Sequence, residues 1–150
     1  MRKRRVRKVW ALVNPILHAI EGARITPRDE LDQLLMRELS ALDAFTHGKA
    51  TIQEWQDLAA LNNLAQTLAK TGCGIEVMTD CHAAQEALVD SARRAEITGR
   101  FGLTGPGIQA VRNVIEWHDL QRSSIERSRY ERAIALTAAR VKSGHNVVEL

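Results

Sequence analysis

The chain has little of what several protein classes require. Its two cysteines are too few for a disulfide scaffold, and they fit a reducing compartment in which both remain thiols. Nine glycines and three prolines exclude collagen-like and low-complexity chains, and no apolar run approaches the roughly 18 residues of a membrane span. What is present is a chain of 150 residues, 45% hydrophobic and 26% charged, of a length typical of one domain. We therefore expect a single cytoplasmic domain with its own core.

The hydrophobic pattern is helical almost throughout, and no segment shows the alternation of a strand. Prolines and capping residues mark helix starts, and glycines mark helix ends. The predicted helices run from Pro15 to about Glu21, from Pro27 (with Thr26 as its cap) to Gly48, from the Thr51–Glu54 capping box to Gly72, from about Glu76 to Thr98, from Pro106 into 122–127, and from a capping box at Ser128 to Gly144. The sequence thus predicts an all-α fold, a single-domain helical bundle of four to five main helices with a basic N-terminal arm.

The domain organisation follows from the same pattern. Residues 1–8 form the predicted arm, 9–144 the helical domain and 145–150 a short tail. The apolar stripes of the helices predict a core that centres on ten residues. These are Leu35, Leu39, Leu42, Leu58, Leu61, Leu68, Leu88, Val111, Ile115 and Ile134.

Charge is segregated along the chain. Residues 2–8 carry six basic groups and no acid, 9–92 have a net charge of −7, and 93–142 have a net charge of +5. The basic run is not expected to begin a signal peptide, because the apolar stretch after it meets Asn14-Pro15 after five residues. It is either an arm that binds nucleic-acid phosphates or a solvated tail, and the sequence leaves both open.

Arginine dominates the second basic segment. Guanidinium groups suit phosphate, although a GC-rich coding bias would also give sixteen arginines against five lysines. On the last predicted helix Arg129 and Arg132 share a face and Arg140 is roughly aligned with them, so a helix-turn-helix with its turn at 123–128 is possible. That face has no Asn or Gln to read adenine. The predicted nucleic-acid-binding residues are Arg2, Lys3, Arg4, Arg5, Arg7, Lys8, Arg129 and Arg132.

Two groups of residues invite a ligand. The glycine-rich segment Gly99–Gly107 can hold an anion at a helix N-terminus, but it lacks the strand and the lysine of a phosphate loop, so a C-cap at Gly99 and an N-cap at Thr104 are favoured. A metal site is not favoured either, because the potential ligands lack the closely spaced cysteine pair of structural zinc. Those ligands are Cys73, Cys81, His82 and His118, and Cys81 falls on an apolar stripe.

Catalytic groups are similarly sparse. His118 precedes Asp119, but adjacent residues do not face each other on a helix, so we expect a partly buried histidine with a hydrogen-bond partner. Ser123 and Ser124 lie in no nucleophile elbow. The sequence predicts no catalytic residue, no cofactor and no metal, and therefore a protein that is not an enzyme.

Four segments carry a family resemblance: Val9–Pro15, Gly99–Gly107, Trp117–Ser124 and Ser128–Ile134. In these the chain resembles a group of small proteobacterial proteins borne on phages, plasmids and genomic islands, some of which are loosely labelled transcription regulators. The resemblance implies a bacterial cytoplasm and a mobile-element origin. It implies no catalytic residue.

Two functions are compatible with these observations. The first is a non-enzymatic, nucleic-acid-binding regulator that uses the two basic regions. The second is a protein-binding module that inhibits or modulates a host defence complex, with an acidic face made of Asp29, Glu30, Asp32, Glu38 and Asp43. A homo-oligomer is possible in either case, and no membrane association is expected.

Overall fold

Five α-helices follow one another with short connections in the computed structural model, which describes residues 22–144. They are α1 (Arg28–Thr46), α2 (Ile52–Lys70), α3 (Met78–Thr98), α4 (Gly105–Ser124) and α5 (Arg127–Ser143). One 3-10 turn, Ile75–Val77, precedes α3. Between residues 22 and 144 the only β pairing is an isolated antiparallel bridge from Ile25 to Glu126. The predicted all-α bundle is confirmed, whereas the arm, the helix at 15–21 and the tail at 145–150 lie outside the described residues.

Helix α2 lies at the centre and contacts each of the other four helices. Helices α1 and α3 each pack against both α2 and α4, so α1–α4 form a four-helix bundle, and α5 packs against α2 from outside. Because α2 is covered on several sides, it also buries polar side chains. Trp55 Nε1 donates a hydrogen bond to Leu88 O at 2.8 Å, and Asn62 Nδ2 donates to Cys81 O at 3.2 Å, so both polar groups bond to α3.

Most of the predicted helix boundaries are confirmed. The Thr51 amide donates to Glu54 Oε2 at 2.7 Å and Thr51 Oγ1 accepts from the Gln53 amide, which completes the predicted capping box. At the end of α3, Gly99 has a φ of +72°, a left-handed conformation that residues with a side chain rarely adopt. Gly144 ends α5 in the same way.

Two predicted N-caps are wrong. Pro27 itself is the N-cap of α1, which therefore begins one residue later than expected, and no side chain caps it. Glu126 precedes α5 without a side-chain cap, so Ser128 does not open that helix. The reason at α5 is that the Arg127 amide donates to Arg24 O at 2.9 Å, beside the Ile25–Glu126 bridge. A neighbouring backbone segment supplies the acceptor that a capping side chain would otherwise provide.

The predicted core is correct except at two positions. Leu42, Leu58, Leu61, Leu68, Leu88, Val111 and Ile115 are all buried, and Leu35 is half-buried against them. Leu39 and Ile134, however, are 38% and 46% exposed. The inward face of α1 is centred on Glu38 rather than Leu39, because Glu38 pairs with Arg122 of α4. Helix α5 contacts α2 through one narrow face, and Ile134 lies beside it.

Candidate nucleic-acid interface and a buried polar cluster

Helix α5 lies antiparallel to α2. The antiparallel register is visible in three hydrogen bonds: Arg129 Nη2 donates to Thr71 O at 3.1 Å, Thr137 Oγ1 to Thr67 Oγ1 at 2.8 Å, and Arg140 Nη1 to Asn63 O at 3.3 Å. The small side chains of Ala133 and Thr137 allow close approach. Arg129 and Arg140 are therefore held against α2 by its carbonyl oxygens, at opposite ends of the helix contact.

This docking places Arg129 against Thr71, the residue next to Lys70, with Arg132 one turn further along α5, and we call Lys70, Arg129 and Arg132 the basic face. Lys70 is the last residue of α2 and precedes Thr71, the carbonyl partner of Arg129. Arg132 lies one turn further along α5 on the same side of the helix. Lys70 and Arg132 are exposed and Arg129 is half-buried. Within residues 22–144, none of the three has a carboxylate within ion-pair distance.

Several other arginines of the bundle are neutralised by carboxylates. Arg37 pairs with Asp57 at 2.8 Å, and Arg28 pairs with Asp32 at 2.7 Å and with Asp119 at 3.0 Å. Arg122 pairs with Glu38, and Arg127 pairs with Glu30. The positive charge of these arginines is thus used inside the fold.

The same ion pairs neutralise part of the acidic face that was predicted to bind a protein. Glu30, Asp32 and Glu38 each pair with an arginine, and Asp43 lies 3.2 Å from His47 Nδ1. Asp29 is exposed in the first turn of α1, where its charge favours the helix dipole. Three of the five predicted carboxylates therefore already pair with arginines within the chain.

The structure describes only two of the eight predicted nucleic-acid-binding residues. Arg129 and Arg132 lie together as expected, while Arg2, Lys3, Arg4, Arg5, Arg7 and Lys8 lie outside the described residues. Lys70 was not predicted, because only the packing of α5 on α2 places Arg129 against Thr71, the residue next to Lys70. The possible helix-turn-helix at 123–128 is not formed: two residues link α4 to α5, and α5 packs mainly along α2.

The predicted cap at Thr104 and the predicted apolar environment of Cys81 are confirmed. Thr104 Oγ1 accepts a hydrogen bond from the Gly107 amide at 3.2 Å, as expected of an N-cap. Cys81 is fully buried, and burial raises the pKa of its thiol to about 12, with a smaller contribution from the charge of Asp80. The part of the chain that the structure describes contains no group of three or more side chains placed to bind a metal ion.

A buried ion pair joins α1 to α4. Arg122 Nη1 and Nη2 donate to the two oxygens of Glu38 at 2.6 and 2.8 Å, and the Arg122 side chain is only 1% exposed. Burial raises the pKa of Glu38, and the Arg122 guanidinium opposes that shift. The sequence contains a signal for this pair, since both charged residues fall on the apolar stripe of their helices. The sequence interpretation missed it.

His118 lies one turn before Arg122 on the same face of α4. It is 1% exposed, and its Nδ1 lies 2.9 Å from Gln121 Oε1, so the prediction of a hydrogen-bonded histidine is confirmed and its burial is more complete than expected. Burial, helped by the charge of Arg122, lowers the pKa of His118 to about 3. The imidazole is therefore neutral at physiological pH.

The fold and these sites define an all-α class of protein: a four-helix bundle with a fifth helix that adds a basic outer face. None of the described helices combines the length and the hydrophobicity needed to cross a membrane. No family model, no curated protein and no solved structure matches the chain.

Proposed function

We propose that the protein is a non-enzymatic nucleic-acid-binding regulator of a phage or another mobile element, acting in the bacterial cytoplasm. The mobile-element origin is supported only by the resemblance in the sequence. Nucleic-acid binding is supported by the basic run of residues 2–8 and by one structural observation. The basic face keeps its charge free of carboxylates, whereas most arginines of α1 and α4 are in ion pairs.

The chemistry of the basic face favours phosphate. Arg129 uses one of its five N–H groups on Thr71 O, so the guanidinium retains other donors for a phosphate oxygen. Arg132 and Lys70 are exposed and supply the charge that displaces counterions from a nucleic-acid backbone. No Asn or Gln accompanies them on α5, so we propose contacts to phosphates rather than to base edges.

A paired-variant titration tests the basic face. Fluorescence anisotropy of a labelled duplex is followed at 50 mM salt with wild type, with K70A/R132A, and with R100A/R112A. The last pair removes the same charge from two exposed arginines that lie before α4 and in its N-terminal half, away from the contact of His118 with Tyr130 of α5. We expect K70A/R132A to weaken binding by about tenfold and the control to change it by no more than about twofold. Helix content by circular dichroism should be equal in all three.

Equal loss of affinity in both variants would show that net charge alone matters and would remove the basic face from the interface. If wild type does not bind the duplex at all, the nucleic-acid proposal fails.

A protein-binding function is the second candidate, and one feature favours it. An apolar groove of about 660 Å³ runs between α2 and α5, with Ala59 and Leu64 on one side and Ile134 and Val141 on the other. This groove is a better docking surface for a host protein than the predicted acidic face, whose carboxylates are mostly paired. This function would be identified if the wild-type protein captures a host protein but does not bind DNA, and if the Ile134→Asp variant loses that capture.

A further inference from the structure

Two open depressions follow one another along the same face of α5. The first, of about 410 Å³, lies between α1 and α5 and begins at Thr26 and Arg127. The second, of about 660 Å³, is the apolar groove between α2 and α5, which reaches Val141. Ile134 lines both, and we call the two depressions together the α5 trough. The α5 stripe that borders it recurs at helical spacing and consists of Arg127, Tyr130, Glu131, Ile134, Thr137, Ala138 and Val141.

Large apolar side chains remain in contact with solvent along this trough. Leu34 of α1 is 37% exposed and Ile134 is 46% exposed, and both line the first depression. Leu64 of α2 and Val141 are half-buried along the second. Burial of apolar surface is favourable in proportion to the area that is removed from water. An apolar segment laid in the trough would therefore stabilise the fold.

The described chain begins beside the start of α5 and runs antiparallel to it. The Arg127 amide donates to Arg24 O at 2.9 Å. Gly22 is so close to the next residue of α5 that a Cβ at position 22 would lie 3.2 Å from the Cβ of Ser128. Moving back along the chain from Arg24 to Gly22 thus means moving forward along α5. A chain that continues in this direction follows α5 toward Ile134 and enters the trough.

The residues that precede Gly22 have the composition of a segment that becomes buried. Residues 9–20 contain no Asp, Glu, Lys or Arg, and nine of the twelve are Val, Trp, Ala, Leu or Ile. On the helix predicted from Pro15, the side chains of Ile16, Leu17 and Ile20 share one face, because they are three or four positions apart or adjacent to such a pair. This face is apolar enough to lie in the trough.

The segment is also long enough. The part of α5 from Ser128 to Val141 measures about 20 Å at 1.5 Å per residue. A seven-residue helix at 15–21 followed back by six extended residues at 9–14 spans about 30 Å. Residues 9–20 can therefore cover the whole trough without any rearrangement of the described helices.

We propose that residues 9–20 of the same chain occupy the α5 trough, with the apolar face of the predicted helix against Leu34 and Ile134. Attachment at Gly22 gives the segment an effective concentration that is roughly millimolar, so it is favoured over a second copy of the chain or a host protein at lower concentration. This inference does not depend on nucleic-acid binding. A host protein that uses the groove between α2 and α5 would first have to displace the segment.

Photo-crosslinking of the full chain tests the position of the segment. A small diazirine amino acid replaces Leu17 or, as a control, His18, which lies on the opposite face of the predicted helix. After irradiation, peptide mass spectrometry locates the adducts. We expect the probe at position 17 to attach within its own chain to residues that line the trough, and the probe at position 18 to react mainly with water.

Two matched variants of α5 show whether the trough itself holds the segment. Ile134 and Leu136 are exposed to similar extents, 46% and 51%, but Leu136 does not line either depression. With the probe at position 17, I134D should lose most of the adduct, because docking would bury an unpaired carboxylate. L136D should keep it, and circular dichroism should show equal helix content in both.

Three results would overturn the proposal. Adducts that join two copies of the chain would assign the trough to an interface between copies. Products of reaction with water alone at position 17 would leave the trough open to a host protein. Equal adduct yields in I134D and L136D would show that the segment lies elsewhere.

Discussion

Gln121 fixes the chemistry of its histidine neighbour although it carries no charge itself. It bonds two backbone carbonyls with one end of its amide and His118 with the other. The ring therefore has one tautomer and stays neutral, because protonation would place a charge in a buried site beside Arg122. The consequence for stability is a specific pH dependence.

We expect the free energy of unfolding to fall as the pH falls below about 6.5. The pKa of His118 is about 3 in the folded chain and about 6.5 when the chain is unfolded. Between these values the unfolded chain binds a proton that the folded chain does not, so this contribution is complete above the unfolded pKa and decreases toward the folded one. Its slope is about 1.4 kcal/mol per pH unit.

Urea denaturation of wild type and of H118Q between pH 7.5 and pH 5 measures this contribution. The variant should lose it, because glutamine does not titrate. Parallel curves for the two proteins would mean that His118 titrates normally in the folded chain.

For helix α1, the apolar pattern predicts the extent of the helix but not its rotation about its own axis. The leucines of its stripe predict a helix from the region of Pro27 to Gly48, and that helix is present. The stripe does not fix the rotation of the helix, because Leu39 and Glu38 are adjacent and either can lie near the centre. The ion pair with Arg122 places Glu38 on the inward face of α1. Arg122 belongs to α4 and lies 84 residues further along the chain.

The rotation of α1 predicts unequal costs for two leucine truncations. Leu42 is 2% exposed and Leu39 is 38% exposed. L42A should lower the free energy of unfolding by about 2–5 kcal/mol, as expected for a buried leucine, and L39A by less than about 1 kcal/mol. Chemical denaturation of both variants measures the difference, and a cost for L39A as large as that for L42A would place Leu39 in the core.

Some features of the candidate sites could be predicted from the sequence, and others could not. Local signals were sufficient for the caps at Thr51 and Thr104, because each depends on residues within three positions. The contact of Arg129 with Thr71 O beside Lys70 and the environment of the buried His118 ring depend on residues far apart in the chain. No periodicity within one helix contains that information.

In the molecule as a whole, some arginines are neutralised by carboxylates within the fold, and other basic residues are not. The carboxylates of α1 neutralise arginines from α1, α4 and α5, and this helps to join the bundle. The basic face and the run at residues 2–8 are two places where the positive charge is not neutralised by an observed ion pair and is available to a partner. Nucleic-acid binding through phosphates is the central claim, and it has a direct thermodynamic signature.

The salt dependence of duplex binding tests that claim most directly. The six basic groups of residues 2–8 can give a plot of log K against log salt a slope of about −5, so affinity should fall more than about a hundredfold between 50 and 200 mM salt. Replacing Arg2, Lys3, Arg4 and Arg5 by Ala should reduce the slope by about four units while leaving the melting temperature nearly unchanged. An unchanged slope in that variant would assign the contacts to the basic face alone. Absence of binding by wild type even at 50 mM salt would contradict the account.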